Sequence, residues 1–164
     1  MEILKRDKMI QMIKLLFVII WMIIVFCFSN EAGEKSSNTS GIFTHKIVTI
    51  LTSYTNGDER TKINMEERLE PIIRKLAHYT LYTIGGMVIL NYINTYNVET
   101  KKKIITSIII GSVYSATDEV HQIFMEGRSA SIIDIGIDTL GVLTGVCVFL
   151  CLLKIYRIIQ KKEK

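Results

Sequence analysis

Apolar residues in this chain fall in long blocks, not in the short alternating runs of a soluble domain. Four blocks stand out, at residues 9–28, 76–93, 104–124 and 132–153. Each approaches the ~20 residues a helix needs to cross the hydrocarbon core of a bilayer. The pattern predicts an all-α fold, an integral membrane bundle of four transmembrane helices. Residues 29–74 read as an extracellular loop and residues 75–153 as the core that holds the last three spans. Within the loop, residues 30–41 are rich in Ser, Asn, Glu and Gly. Phe43, Ile47, Ile50, Leu51 and Tyr54 then recur at helical spacing among His45, Lys46, Thr49 and Ser53. That spacing predicts an amphipathic helix over 43–54, lying on the outer membrane surface or packed on the bundle. Asn56, Gly57 and Asp58 form a turn signal. Residues 65–74 predict a short charged helix, and Pro71 starts or bends the next span. The loop at 125–131 is short enough to make the last two spans a tight hairpin.

Charge orients this pattern. The chain has 20 Lys and Arg against 16 Asp and Glu, a net charge of +4, with a mean hydropathy of +0.31. Basic residues cluster at Lys5, Arg6, Lys8 and Lys14, at Lys101, Lys102 and Lys103, and in the tail 154–164. The positive-inside rule puts all three groups, and so both termini, on the cytoplasmic side. Juxtamembrane lysines are expected at any such boundary, so they give no reason to invoke nucleic acid. The first block reads as an uncleaved anchor, because its apolar run is long and Ser29, Asn30 and Glu31 make a poor cleavage site. Cys27, Cys147 and Cys151 sit in apolar blocks and read as small buried hydrophobes, not as a disulfide framework or a metal set.

The candidate chemistry lies where polar residues interrupt the blocks. An ionisable residue inside a span is costly and usually faces a bundle interior or a wet cavity. At 100° per residue, Gly111, Ser115, Asp118, Glu119 and Gln122 share a narrow arc, with His121 at its edge. Lys75, His78, Tyr79, Tyr82 and Gly86 share another, and Asp134, Asp138, Gly141 and Gly145 form a stripe. The predicted topology brings these polar ends together near the outer leaflet, beside Arg128 of the last loop. The result is a pocket with cations Lys75, His78 and Arg128 and anions Asp118, Glu119, Asp134 and Asp138.

These motifs resemble the VanZ-like family. The resemblance is carried by Lys75-x-x-His78-Tyr79-x-x-Tyr82, by Asp118-Glu119-x-His121-Gln122 followed by Gly127-Arg128, and by Asp134-x-x-x-Asp138-x-x-Gly141-x-x-x-Gly145. Ser29-Asn30 stands where the family has a Ser-rich tripeptide. Two departures retune the site. Asp138 replaces a usual Asn and adds a charge, whereas Leu81 stands where an acidic residue is common. The resemblance implies a Gram-positive envelope membrane protein connected with resistance to teicoplanin, a glycopeptide antibiotic anchored by a lipid tail.

Two functions fit these residues. In the first, the protein binds or modifies membrane lipid or a lipid-linked envelope precursor, or meets the glycopeptide antibiotic itself, and lowers susceptibility to the drug. Lys75, Tyr82, Gln122, Arg128, Asp134 and Asp138 then bind substrate, and Lys75 and Arg128 hold a phosphate. In the second, it is a hydrolase or transferase on a lipid-linked substrate. Asp118, Glu119 and His78 are its candidate catalytic residues, with Glu119 or His78 as general base. Asp118, Asp134, Asp138 and His78 are oxygen-rich enough to hold a divalent metal, although no recognised metal motif is present. An ion path is poorly supported, because the inner parts of the first and last blocks are apolar.

Overall fold

Long unbroken helices follow from the apolar blocks and the single proline of the chain. The computed structural model describes residues 2–30, 33–55, 58–125 and 128–162, with side chains over 6–30, 41–54, 58–125 and 128–161. Gly127, Asn56 and Gly57 of the sequence motifs lie outside the described residues, as do the side chains of 31–40. Among the described residues there are five helices and no strand: α1 (Glu2–Ser29), α2 (Gly33–Thr55), α3 (Glu59–Ile93), α4 (Thr100–Gln122) and α5 (Ile132–Lys162).

Three boundaries differ from the sequence reading. The amphipathic helix begins at Gly33, not at residue 43, so most of the Ser- and Asn-rich segment is helical. The charged segment and the second span are one helix of 35 residues, with Pro71 inside it. Proline removes one backbone donor but does not end a helix whose flanking turns are held by packing. The basic tail continues α5 through Lys162.

α3 is the hub. It packs most extensively on α5 and also touches α1, α2 and α4, while α4 also packs on α5. Small residues let α3 and α5 meet backbone to backbone. A Cβ on Gly141 would lie 2.6 Å from the Tyr79 carbonyl, and one on Gly145 would overlap the Thr83 carbonyl. α1 joins through Val18, Trp21, Val25 and Ser29, spaced three or four apart on one face. The Trp21 indole lies edge-on to Tyr82, with ring centroids 5.7 Å apart, and donates to the Leu81 carbonyl at 2.9 Å. Leu81 thus packs against the core, where an acidic side chain would have no such place.

The outer surface of this bundle is apolar. Two helices, Arg6–Ser29 and Ile132–Lys161, are long and apolar enough to cross a membrane, yet only 22% and 28% of their apolar windows are buried. The core helix of a soluble protein would be mostly covered. Here Phe17, Ile23, Phe28, Leu152 and Ile155 are all exposed, a surface that water would penalise and lipid would not. α3 and α4 do not meet the same criterion among the described residues. The polar residues on their inward faces dilute their apolar content. Cys27, Cys147 and Cys151 are exposed as well, which corrects their reading as buried residues. On a helix that is apolar all round, apolar neighbours do not mark the inward face.

α2 lies against the first half of α3 and buries Thr44, Val48 and Thr52. His45 Nδ1 also meets Glu66 Oε1 at 2.7 Å. The stripe Phe43, Ile47, Ile50, Leu51 and Tyr54 stays exposed, Tyr54 at 85%. Packing on the bundle and an outward apolar face therefore coexist. The turn into α3 is capped by Asp58, whose carboxylate accepts from Thr61 N at 3.0 Å and from the Thr61 hydroxyl. The Thr61 side-chain and backbone hydrogen bonds hold the Asp58 carboxyl below its ordinary range. The sign follows: this cap is present above the unfolded carboxyl value and is lost as pH falls through the depressed folded value. We expect Asp58 to titrate below about 3.9 by NMR, and Asp58→Ala to speed amide exchange in the first turn of α3 at neutral pH. A midpoint at or above the ordinary value would remove the cap from the description.

Candidate functional site

The inward faces of α3, α4 and α5 carry the polar residues of the sequence motifs to one end of the bundle. On α4 the buried residues are Ser107, Gly111, Ser115, Asp118, Glu119 and Gln122, one stripe of the helix. His121 falls outside it, stacks on Phe26 with ring centroids 4.8 Å apart, and stays partly exposed.

Hydrogen bonds arrange the charges. Ser29 Oγ, at the end of α1, donates to Asp118 Oδ2 at 2.7 Å, and Gln122 Nε2 reaches the same oxygen at 3.3 Å. Ser115 Oγ donates to Asp138 Oδ2 at 3.0 Å. Glu119 Oε2 accepts the backbone N–H of Ser131 at 2.9 Å, at the start of α5. A carboxylate there meets the positive end of the helix dipole. Ser131 itself caps α5 by accepting from Asp134 N at 3.3 Å. Lys75 Nζ pairs with Asp134 Oδ1 at 2.5 Å, with both side chains only partly exposed. His78 Nδ1 lies 3.9 Å from Asp138 Oδ1, beyond hydrogen-bonding distance.

Above these groups is a cavity of about 210 Å³. Its walls include Lys75, His78, Glu119, Gln122, Arg128, Asp134 and Asp138 from the sequence reading, together with Arg74, Ser129, Ser131 and Ile137. Asp118 and Tyr82 do not line it. Asp118 is 4% exposed and Tyr82 fully buried.

The structure thus brings the candidate residues to one place but divides them. Asp134 belongs with Lys75, away from the group of His78, Asp118 and Asp138 whose ligand atoms lie within 4.8 Å of one another. Lys75 is accordingly engaged by a carboxylate, and the further cation at the cavity wall is Arg74. The sequence pattern puts Arg74 at the end of a short charged helix, 65–74, outside the predicted span. Its position four residues before His78, on the same face, was the available signal. Ser29 and Ser115 were noted for their positions only; as hydroxyl donors to buried carboxylates they are part of the site.

An all-helical, membrane-associated protein with a carboxylate–histidine centre buried among its helices is the class these features define. The family model VanZ/LLP1 matches residues 14–154, and the chain belongs to that family. Membership marks it as a membrane protein of the cell envelope. No curated protein and no solved structure matches the chain.

Proposed function

We propose that this protein crosses the membrane four times with both termini in the cytoplasm, and that its cavity faces the outer leaflet. There it binds the phosphate of a lipid-linked envelope component and so lowers susceptibility to lipid-anchored glycopeptides such as teicoplanin. The observation that carries this reading is the cavity itself: it is sized for a head group, not for a whole lipid. Arg74 and Arg128 stand at its wall, and serines at 129 and 131 add hydroxyl groups. A guanidinium can hold two phosphate oxygens at once, which a lysine cannot. The basic groups at Lys101, Lys102 and Lys103 and in the tail lie at the opposite ends of their helices from this cavity, as the positive-inside rule requires for an outward site. The exposed stripe of α2 would lie in the head-group region beside the cavity.

The test is teicoplanin and vancomycin susceptibility in a sensitive Gram-positive host, with parent and variants at matched membrane levels. The parent should protect against teicoplanin, and Arg74→Ala with Arg128→Ala should remove that protection. Reporters in the same strains should read cytoplasmic after Lys164 and external in the 29–74 segment. Absence of protection by a well-expressed parent would sink the resistance reading, and an external C-terminus would sink the outward site.

A further inference from the structure

Beneath the basic wall lies a set of groups that phosphate recognition does not need. His78 of α3, Asp118 of α4 and Asp138 of α5 each offer one potential ligand atom, and these atoms lie within 4.8 Å of one another. Both carboxylates are nearly inaccessible, at 4% and 1% exposure. Each already has one oxygen engaged: Oδ2 of Asp118 by Ser29 and Gln122, and Oδ2 of Asp138 by Ser115. Donors of this kind orient metal-binding carboxylates from the outer shell. The Oδ1 atoms accept no hydrogen bond among the described residues and remain available.

Buried carboxylates alone would not make a site. A second observation points to a ligand. Tyr82 is fully buried, and its hydroxyl has no hydrogen-bond partner among the described residues. It stands within electrostatic reach of Asp118 and Asp138 and beside the Ser115 hydroxyl, which gives its own proton to Asp138. A buried phenol is normally satisfied. This one stands beside two buried carboxylates.

We infer that His78, Asp118 and Asp138 bind one divalent cation, and that the Tyr82 hydroxyl contacts a water held by that ion. Two negative charges and one imidazole suit a 2+ ion. A mixed nitrogen and oxygen set favours Mn²⁺ or Zn²⁺ over Mg²⁺ or Ca²⁺, which prefer oxygen alone. The 3.9 Å gap between His78 Nδ1 and Asp138 Oδ1 is too long for a hydrogen bond, but it can be spanned by two metal–ligand bonds of about 2.1 Å each. The widest separation needs a small rotation of a ring or carboxylate to close. His78 and Asp138 also line the cavity, so an open position on the ion faces it. Asp134, held by Lys75, is not a ligand.

The experiment is Mn²⁺ titration of the full chain in dodecyl maltoside, after stripping with chelator, followed by loss of the free-ion EPR signal and by Zn²⁺ competition. No phosphate is present, so the result is independent of the head-group reading. The folded parent should bind one equivalent. His78→Ala and Asp138→Asn should each weaken binding at least 100-fold, and Tyr82→Phe, which keeps the ring, about 10-fold, both within what ligand and outer-shell changes cost, roughly. No stoichiometric binding of either ion overturns the site, as does binding that survives the two ligand substitutions. If circular dichroism shows that those two do not fold, Tyr82→Phe decides: weakened binding supports the site and unchanged binding overturns it.

Discussion

Gly145→Val should abolish the folded bundle. The substitution forces a side chain into the carbonyl of Thr83 on α3, and the nearest atoms are backbone, which cannot rotate away. Relief requires α3 and α5 to separate along their whole contact, and that contact is the most extensive in the molecule. The expected loss exceeds about 4 kcal/mol, in the range reserved for overpacking of a rigid site. It should appear as failure to recover monodisperse helical protein from detergent. Gly136→Ala is the matched control, because a Cβ there meets nothing within 4 Å. The functional consequence is direct: α3 carries His78 and α5 carries Asp138, so this seam sets their separation. A Gly145→Val protein as stable as the parent would mean that the two helices do not cross as described.

Trp21→Ala should cost about 3–5 kcal/mol, as large aromatic truncations in a core do. The indole fills the notch left by Gly85, lies against Tyr82 and Tyr114, and donates to the Leu81 carbonyl. Removing it leaves a cavity and an acceptor without its partner. The effect should not stop at stability. Trp21 fixes α1 on α3, and two turns further on the same face α1 delivers Ser29 to Asp118. Thermal unfolding in detergent should show a lowered midpoint, and Asp118-dependent properties should weaken in the protein that remains folded. Trp21→Phe should recover most of the packing without the hydrogen bond. A Trp21→Ala midpoint equal to the parent's would show that α1 is not anchored there.

The inward face of α4 was legible because an otherwise apolar helix has little reason to carry Ser115, Asp118, Glu119 and Gln122 together unless they are covered. The glycine stripe of α5 was legible for the same reason, since small residues on one face imply a close neighbour. Which neighbour was not legible. Periodicity shows that Asp134 and Asp138 share a face, but only the packing shows that one meets Lys75 and the other lies beside His78. Arg74 is not legible as a site residue because the charge of 65–74 sets that segment apart from the apolar span, whereas the structure runs one helix through both. The cysteines were misplaced because burial was inferred from apolar neighbours, an inference that holds only where the surroundings of a helix are polar. Four spans were expected on length, while α3 and α4 carry so much of the site that composition alone no longer marks them as apolar.

The continuity of α3 has a mechanical consequence. At 1.5 Å per residue its 35 residues make a rod of about 52 Å, against a hydrocarbon core of roughly 30 Å. The segment that holds α2 and the segment that presents Arg74, Lys75 and His78 therefore belong to one continuous helix, which can bend at Pro71 or at the Gly85–Gly86 pair. A force that tilts α2 would be carried along that helix to the cavity wall, displacing two cations and an imidazole.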